Sequence, residues 1–557
     1  MPSLGVWCDI RSGLAQMNKT HSHTRAAQTM LLLFFAVRLS GSSPEENRAS
    51  GTAGEEGAQL SSSSTGPVTE GSNADSTVSI IGGQTPLAAV TIPETPVSAP
   101  ASAVANQAPS IGFFGRLANA YKQDWHPAPA DPNAAAPAFR GYPGTVDGPP
   151  YPFSVWPYGG SVTIGQPWTQ AAPLMTALWN GPNGDAWKRS GVQIYGWLNA
   201  GFNLTTSNQG GYSAYPAAYP ERGNTVEPDQ EVLYIERQPD TVQTDHIDWG
   251  FRLTMLYGID YRFTTAKGIF SDQLLGKNSE YGFDPVMAYF DVYFPQIAKG
   301  MDVRIGRYIS LPDIEAQLAP NNYTYSHSLT YTFDCYTQTG ISTTTKLSDH
   351  FLIQFGLSPG CDTAPWTKDA KLTFDSCLGF TWQHGNSNIY TCANAINDGN
   401  YAYNNLQAYY TTFYHKFNAK WHEATEGWYQ YEKNTPNVLN PAAATLLEVG
   451  ANGAECKNSG DLTCFAPDWA VVNYVERQFS KHDYMTIRNE CVDDMVGQRS
   501  GYKTHYSEHL IGWGHWIGTT VLLRPELRFD HSYDVPAYNN GTKKSQLMLA
   551  GDVIFFF

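Results

Sequence analysis

From residue 192 to the end, apolar and polar side chains alternate with a period of two, run after run. Successive side chains of a strand point to opposite faces, so each run predicts a strand with one apolar face. In the final run, 546–557, residues Leu547, Leu549, Gly551, Val553, Phe555 and Phe557 share one face. Gln546, Met548, Ala550, Asp552, Ile554 and Phe556 share the other. The clearest run is 249–263. Trp249, Phe251, Leu253, Met255, Tyr257, Ile259, Tyr261 and Phe263 alternate there with Gly250, Arg252, Thr254, Leu256, Gly258, Asp260 and Arg262. Its aromatics gather at both ends. Soluble strands average about six residues, whereas a tilted strand needs about ten to cross a bilayer.

About sixteen such runs are found: 192–205, 229–238, 247–263, 286–295, 301–309, 336–347, 350–358, 371–383, 388–396, 405–417, 421–432, 469–479, 484–493, 503–514, 519–530 and 545–557. Counting back from the terminus, every second connection is short and carries turn-forming Asn, Asp, Gly, Ser or Pro, as in 515–518, 480–483, 418–420 and 348–349. The alternate connections include long ones: 206–228, 264–285, 310–335 and 433–468. Short turns on one side and long loops on the other predict an all-β fold, a closed antiparallel transmembrane β-barrel of about 16 strands. Run 545–557 should pair with 192–205 to close it. A terminal apolar strand ending in Phe557 also resembles the signal by which outer-membrane barrels are read by their assembly machinery.

Composition supports this reading. Charged residues make up 15% of the 557-residue chain and aromatics 13%, including 33 Tyr and 15 Trp. Mean hydropathy is −0.35. No run of apolar residues is long enough for a membrane helix. An apolar exterior, aromatic girdles and a polar lumen account for all three values. The net charge of −16 and the lack of a basic stripe exclude nucleic acid as a partner.

The chain before residue 191 divides into three expected segments. Residues 1–41 read as a secretory signal: Lys19 and Arg25 precede the apolar run 30–37, with Arg38 interrupting the usual cleavage region. Residues 42–109, rich in Ser, Gly, Thr, Ala and Pro, read as a disordered linker. Residues 110–190 form a Pro-, Gly- and aromatic-rich pre-barrel segment. A short amphipathic helix is expected over 110–121, with Ile111, Phe114, Leu117 and Tyr121 near one face. From 125 to 185 the density of Pro and Gly argues against regular helix and central strand, leaving an extended segment at the periplasmic side or in the lumen.

Eight cysteines are present. Cys335 and Cys361 are nearly equidistant from the 348–349 turn, Cys377 and Cys392 flank the 384–387 turn, and Cys456 and Cys464 lie close together in one loop. These are the disulfide candidates for an exported chain, although 377 and 392 also suit packing as small apolar residues. Cys491 is the expected leftover. With no Cys-x-x-Cys and no His pair at ligand spacing, no metal is expected. Without a phosphate loop or dinucleotide fingerprint, neither is a cofactor.

Charges confined to one face of a membrane strand point inward, because Arg or Lys facing lipid costs about 2–4 kcal/mol. On this basis Arg252, Asp260, Arg262, Asp302, Arg304, Glu426, Glu432, Arg488, Glu490, Arg524, Glu526, Arg528 and Asp530 line the lumen. Arg307 alone falls on the lipid side, where it would snorkel unless the register slips. The inward charges suit a water-filled pore with a transverse field, or salt bridges filling a closed lumen. Loop 310–335 is the constriction candidate, with Asp313 and Glu315 facing an Arg-bearing wall; an ordinary outer loop is the alternative. Ser326-His327-Ser328 is the one triplet suggesting a nucleophile. Adjacent strand residues point apart, so it forms no dyad, and no enzyme is expected.

Several stretches resemble the β-barrel porin, OmpL-like family: 195–203, 245–252, 257–261, 305–308, 315–323, 425–431 and the terminal Phe. The resemblance covers roughly 190–557. It implies an outer-membrane diffusion channel with no defined catalytic residues. The expected function is passive diffusion of small hydrophilic solutes, and a structural or adhesive barrel with a plugged lumen is the alternative. Expected partners are outer-membrane lipids, the solutes and the assembly machinery. Assembly with further copies of the chain is left open.

Overall fold

The computed structural model describes residues 111–127, 164 and 172–557, except 384, 385, 419 and 481. The expected signal and linker lie outside these residues, as does most of 128–171. Sixteen strands are formed: β1 (Gln193–Thr205), β2 (Val226–Arg237), β3 (Asp248–Gly258), β4 (Gly282–Phe294), β5 (Met301–Ile309), β6 (Thr337–Lys346), β7 (Phe351–Ser358), β8 (Thr373–Trp382), β9 (Ser387–Ile396), β10 (Gln407–Lys416), β11 (Trp421–Pro436), β12 (Thr463–Gln478), β13 (Asp483–Asp494), β14 (Thr504–Ile517), β15 (Val521–Ser532) and β16 (Ser545–Phe556). Each pairs antiparallel with the next, and β16 pairs with β1 to close the barrel.

The expected closing seam is present. Leu198 lies opposite Phe555, Ala200 opposite Val553 and Leu204 opposite Leu549. The Phe557 amide donates to the Gly196 carbonyl at 3.0 Å, extending the ladder to the last residue. Closure leaves no unpaired edge, as a strand in hydrocarbon requires. Along β16 the alternation reads directly as two environments. Leu547, Leu549 and Val553 are exposed on the outer face, whereas Met548, Ala550, Ile554 and Phe556 are buried. Phe202, Ile305, Leu357, Leu378, Ile511 and Leu527 continue the exposed apolar exterior around the wall.

Two inferences from alternation fail, each for a local reason. Run 247–263 is not one strand: β3 ends at Gly258, and a one-turn helix, Tyr261–Thr264, follows. The apolar residues past Gly258 keep their period but pack inside the outer loops, where Phe263 stacks on Tyr219 at 4.5 Å. In β5 the alternation breaks at Gly306, whose φ of 137° is open mainly to glycine. A Cβ there would lie 2.3 Å from the Ala288 carbonyl. Arg307 consequently turns inward and is buried, not snorkelling on the lipid side.

Before the barrel, α1 (Phe113–Trp125), α2 (Pro173–Trp179) and α3 (Gly184–Ser190) are formed. Helix within 125–185 is a correction. Pro173 opens α2, where no intrahelical N–H is needed and its fixed φ suits the first turn. The helix expected over 110–121 is present as α1. Ala120 is buried, while Ile111 and Phe114 are exposed. Cys335–Cys361, Cys377–Cys392 and Cys456–Cys464 are joined, with Cα–Cα distances of 5.5, 4.1 and 5.8 Å. Cys491, expected to be left over, is disulfide-bonded as well.

Candidate functional site

The connection from β5 to β6, residues 310–336, turns into the barrel. Leu311, Leu318 and Leu329 are fully buried and Ile314 nearly so, which draws the segment inward by the hydrophobic effect. Its polar backbone then needs partners away from bulk water. A 3-10 turn at Ala319–Asn321 and a one-turn helix at Leu329–Thr332 satisfy some groups internally. The Ser328 hydroxyl caps that helix, accepting from the Tyr331 amide at 3.0 Å.

The wall supplies the rest. The Glu526 carboxylate accepts the Tyr325 and Ser326 amides at 3.0 and 3.2 Å. Glu490 accepts the Leu329 and Thr330 amides at 2.7 and 2.9 Å. Arg488 donates to the Ser326 carbonyl at 2.6 Å and Arg528 to the His327 carbonyl at 2.7 Å. Arg524 donates to the Ala319 and Asn322 carbonyls at 2.7 and 2.8 Å. Five charged side chains of β13 and β15 thus hold the segment by its backbone, and all five are buried. Hydrogen bonds with one ionised partner are the stronger kind, worth about 1.5–3 kcal/mol each.

These arginines also pair with carboxylates. Arg488 meets Glu508 at 2.9 and 3.0 Å, Arg524 meets Asp552 at 2.9 Å and Arg528 meets Asp530 at 2.8 Å. Elsewhere the pairs join wall strands: Arg252–Glu236 at 2.6 Å, Arg304–Asp291 at 2.8 Å and Arg307–Asp284 at 2.6 Å. Arg304 also lies 3.7 Å over the Tyr289 ring. Asp302 is fully buried, and Glu426 accepts from the Thr412 hydroxyl at 2.7 Å.

Three residues assigned to the lumen or its constriction sit otherwise than expected. Asp260 and Arg262 lie beyond the end of β3. Asp260 is buried and accepts from Gln230 at 2.9 Å, while Arg262 contacts Asn278 and Ser279 in the outer loop at 3.0 Å. Glu315 does face an arginine, Arg488, at 3.9 Å. Asp313 instead sits among Asp334, Glu426 and Glu315. Burial pushes its carboxyl well above the usual range, and Asp334 and Glu426 add to this. Burial also raises Asp334 to about 7, against hydrogen bonds from Asp313 and the Tyr410 hydroxyl.

The triplet 326–328 is occupied structurally. His327 stacks on Tyr219 at 3.7 Å and bonds the Ala316 carbonyl through Nε2 at 2.7 Å, and burial holds its pKa well below the usual value. The Ser326 hydroxyl accepts from Arg488 at 3.1 Å. Among the described residues neither serine hydroxyl bonds the imidazole.

Sequence reasoning missed several clamps. Gln230 donates to the Gln317 carbonyl at 2.7 Å and accepts the Ala319 amide at 3.0 Å. Trp428 donates to the Thr330 carbonyl at 3.0 Å, and Glu508 joins Arg488 to Arg528. All three face inward in their strands, so alternation alone would have found them; attention to formal charge passed over Gln230 and Trp428, and Glu508 was passed over although it is charged. Between the segment and the β11–β12 wall lies a cavity of ≈ 10 Å³ lined by Ile314, Glu315, Asn322, Tyr323, Ala424, Tyr474 and Glu476. That is about the least space that holds one water.

A family model described as "Putative beta-barrel porin-2, OmpL-like" matches residues 191–557. The chain belongs to this family. The match begins two residues before β1 and runs to the last residue, so it covers the whole barrel. The family places the barrel in the bacterial outer membrane. A search of the curated proteins finds no match. Among solved structures, the chain is similar to an anion-selective porin from Comamonas acidovorans, at 11% identity and TM-score 0.40, covering 66% of this chain and 99% of that one. It is also similar to the outer membrane channel DcaP of Acinetobacter baumannii, at 8% identity and TM-score 0.42, covering 66% and 97%. OmpT of Vibrio cholerae matches at 8% identity and TM-score 0.40, again over 66% and 97%.

Proposed function

We propose that this chain is an outer-membrane porin through which small hydrophilic solutes diffuse passively, with 310–336 as its constriction. No chemical step or energy coupling is involved. The observation that carries the reading is the clamped segment itself. It crosses a polar interior enclosed by an apolar wall, and side chains rather than a strand ladder hold it there. Such a segment narrows a passage while its edges stay hydrogen-bonding, so width and fixed charge select the solute. The pairing of the wall arginines favours a second reading, a closed structural barrel in which the same segment is a permanent plug.

Single-channel recording in planar bilayers separates the two. The porin reading expects discrete conductance from the full-length folded chain, and larger steps from Glu490→Gln/Glu526→Gln, which removes two carboxylate anchors. A folded wild-type barrel that stays silent while the double variant conducts would establish the plug instead.

A further inference from the structure

Helix α1 is fastened to the rim of the barrel where β14, β15 and β16 end on the short-turn side. Asp124 accepts the Thr519 amide at 2.8 Å and the Thr519 and Thr520 hydroxyls at 2.6 and 2.7 Å. Trp125 Nε1 donates to the Thr520 hydroxyl at 2.9 Å, and the Tyr121 hydroxyl donates to the Phe556 carbonyl at 2.9 Å. Gly518 serves this fastening: its φ is 59°, and a Cβ there would lie 2.2 Å from the Asp124 carboxylate.

The Tyr121 ring stacks on Phe555 at 5.2 Å with an interplanar angle of 20°. Phe555 belongs to the outer face of β16, in line with exposed Val553, Leu549 and Leu547. A ring stacked on it lies outside the wall. At 100° per residue, Phe114, Ala118, Tyr121 and Trp125 form one stripe of α1. Asn119 and Gln123 occupy the opposite arc and Lys122 flanks the stripe, while Leu117, Ala120 and Asp124 face the other packed elements and Arg116 donates to the Ala177 carbonyl of α2 at 2.9 Å. Phe114 is 82% exposed and Trp125 42%. An aromatic stripe this exposed is costly in water, and the Tyr121–Phe555 stack joins it to the lipid-facing belt of β16.

We infer that α1 is an interfacial membrane helix whose Phe114–Tyr121–Trp125 stripe inserts among the acyl chains of the glycerophospholipid leaflet on the short-turn side. The aromatic rings sit at the depth where such side chains anchor membrane proteins. The polar arc faces water, with Lys122 level with the headgroups. On this reading α1 lies along the membrane surface against the outer face of β16.

The test uses the full-length chain refolded into phosphatidylethanolamine/phosphatidylglycerol vesicles. Six cysteines are joined in three disulfides, and with Cys8 and Cys491 replaced by Ser one added cysteine gives a defined site for an environment-sensitive dye. Phe114→Cys is compared with Gln123→Cys, both at positions whose exposure leaves folding undisturbed. Emission from position 114 should be blue-shifted and quenched several-fold more strongly by doxyl-labelled lipid than emission from 123. Equal water accessibility at the two positions overturns the inference. So does a blue shift at 114 that doxyl lipid leaves unquenched but dilution of the protein in the bilayer abolishes, which would mean that a second copy covers the stripe.

Discussion

On the β4–β5 arc of the wall, Arg304 closes on Asp291 of the neighbouring strand, and Arg307 closes on Asp284 while donating to the Pro285 carbonyl. On the β13–β15 arc, Arg488, Arg524 and Arg528 also pair with carboxylates, yet each donates further to a backbone carbonyl of 310–336. Both arcs show the same inward arginines in the same kind of strand. One arc is braced on its neighbours and the other grips the constriction. A guanidinium has five donors in a planar fork, enough to serve a carboxylate with one edge and a carbonyl with the other. The nearby element decides what the second edge does.

The sharpest contrast between the arcs comes from replacing one arginine in each. Arg488→Met leaves Glu508 and its neighbours buried with a partner lost, at a cost of about 3–5 kcal/mol. Arg304→Met does the same to Asp291. Both should lower the temperature at which the barrel loses its heat-modifiable band shift on gels. Only Arg488→Met should also speed hydrogen exchange across 310–336. Faster exchange there in Arg304→Met would remove the distinction between brace and clamp.

A smaller effect is expected from Glu490→Gln or Glu526→Gln singly. Each keeps the shape but loses the charge in a pair of amide contacts, worth about 1.5–3 kcal/mol. Exchange in 324–331 should rise while barrel melting barely moves. Equal losses in both would mean that the segment and wall unfold as one unit.

A pH dependence is expected as well. Burial raises the Asp334 carboxyl from its usual 3.8 to about 7. Between about pH 4 and 7 the folded segment retains a proton that the released one has lost, so stability falls as pH rises across this window and levels off above it. Protection of 310–336 relative to the intrinsic exchange rate at each pH should therefore fall from about pH 4 to 7 and level off above. Asp334→Asn should flatten the profile; an unchanged slope would assign the dependence to another group.

Much of this architecture was legible in the chain. Strand number, the antiparallel order and the 192–205/545–557 seam follow from period-two alternation and from the phase of short and long connections. The bilayer imposes both: it forbids open edges and sets strand length. Alternation misled where a glycine let the backbone leave the regular strand, at Gly306, and where apolar residues continued their period into a packed outer loop, past Gly258. The candidate site was legible only in part. Glu315, Glu490, Glu526 and the arginines of β13 and β15 were found because charge on an inner face is conspicuous. Gln230 and Trp428 were missed because an uncharged inward residue looks like filler.

By itself, then, the sequence determined a closed sixteen-stranded outer-membrane wall with charge turned inward, because side-chain period and lipid contact are local properties. Which charges brace the wall, which hold 310–336, and that α1 lies against the outside of β16 were decided only by tertiary structure. Those outcomes depend on distances between residues such as Arg528 and His327, about two hundred positions apart in the chain, and no local pattern encodes them.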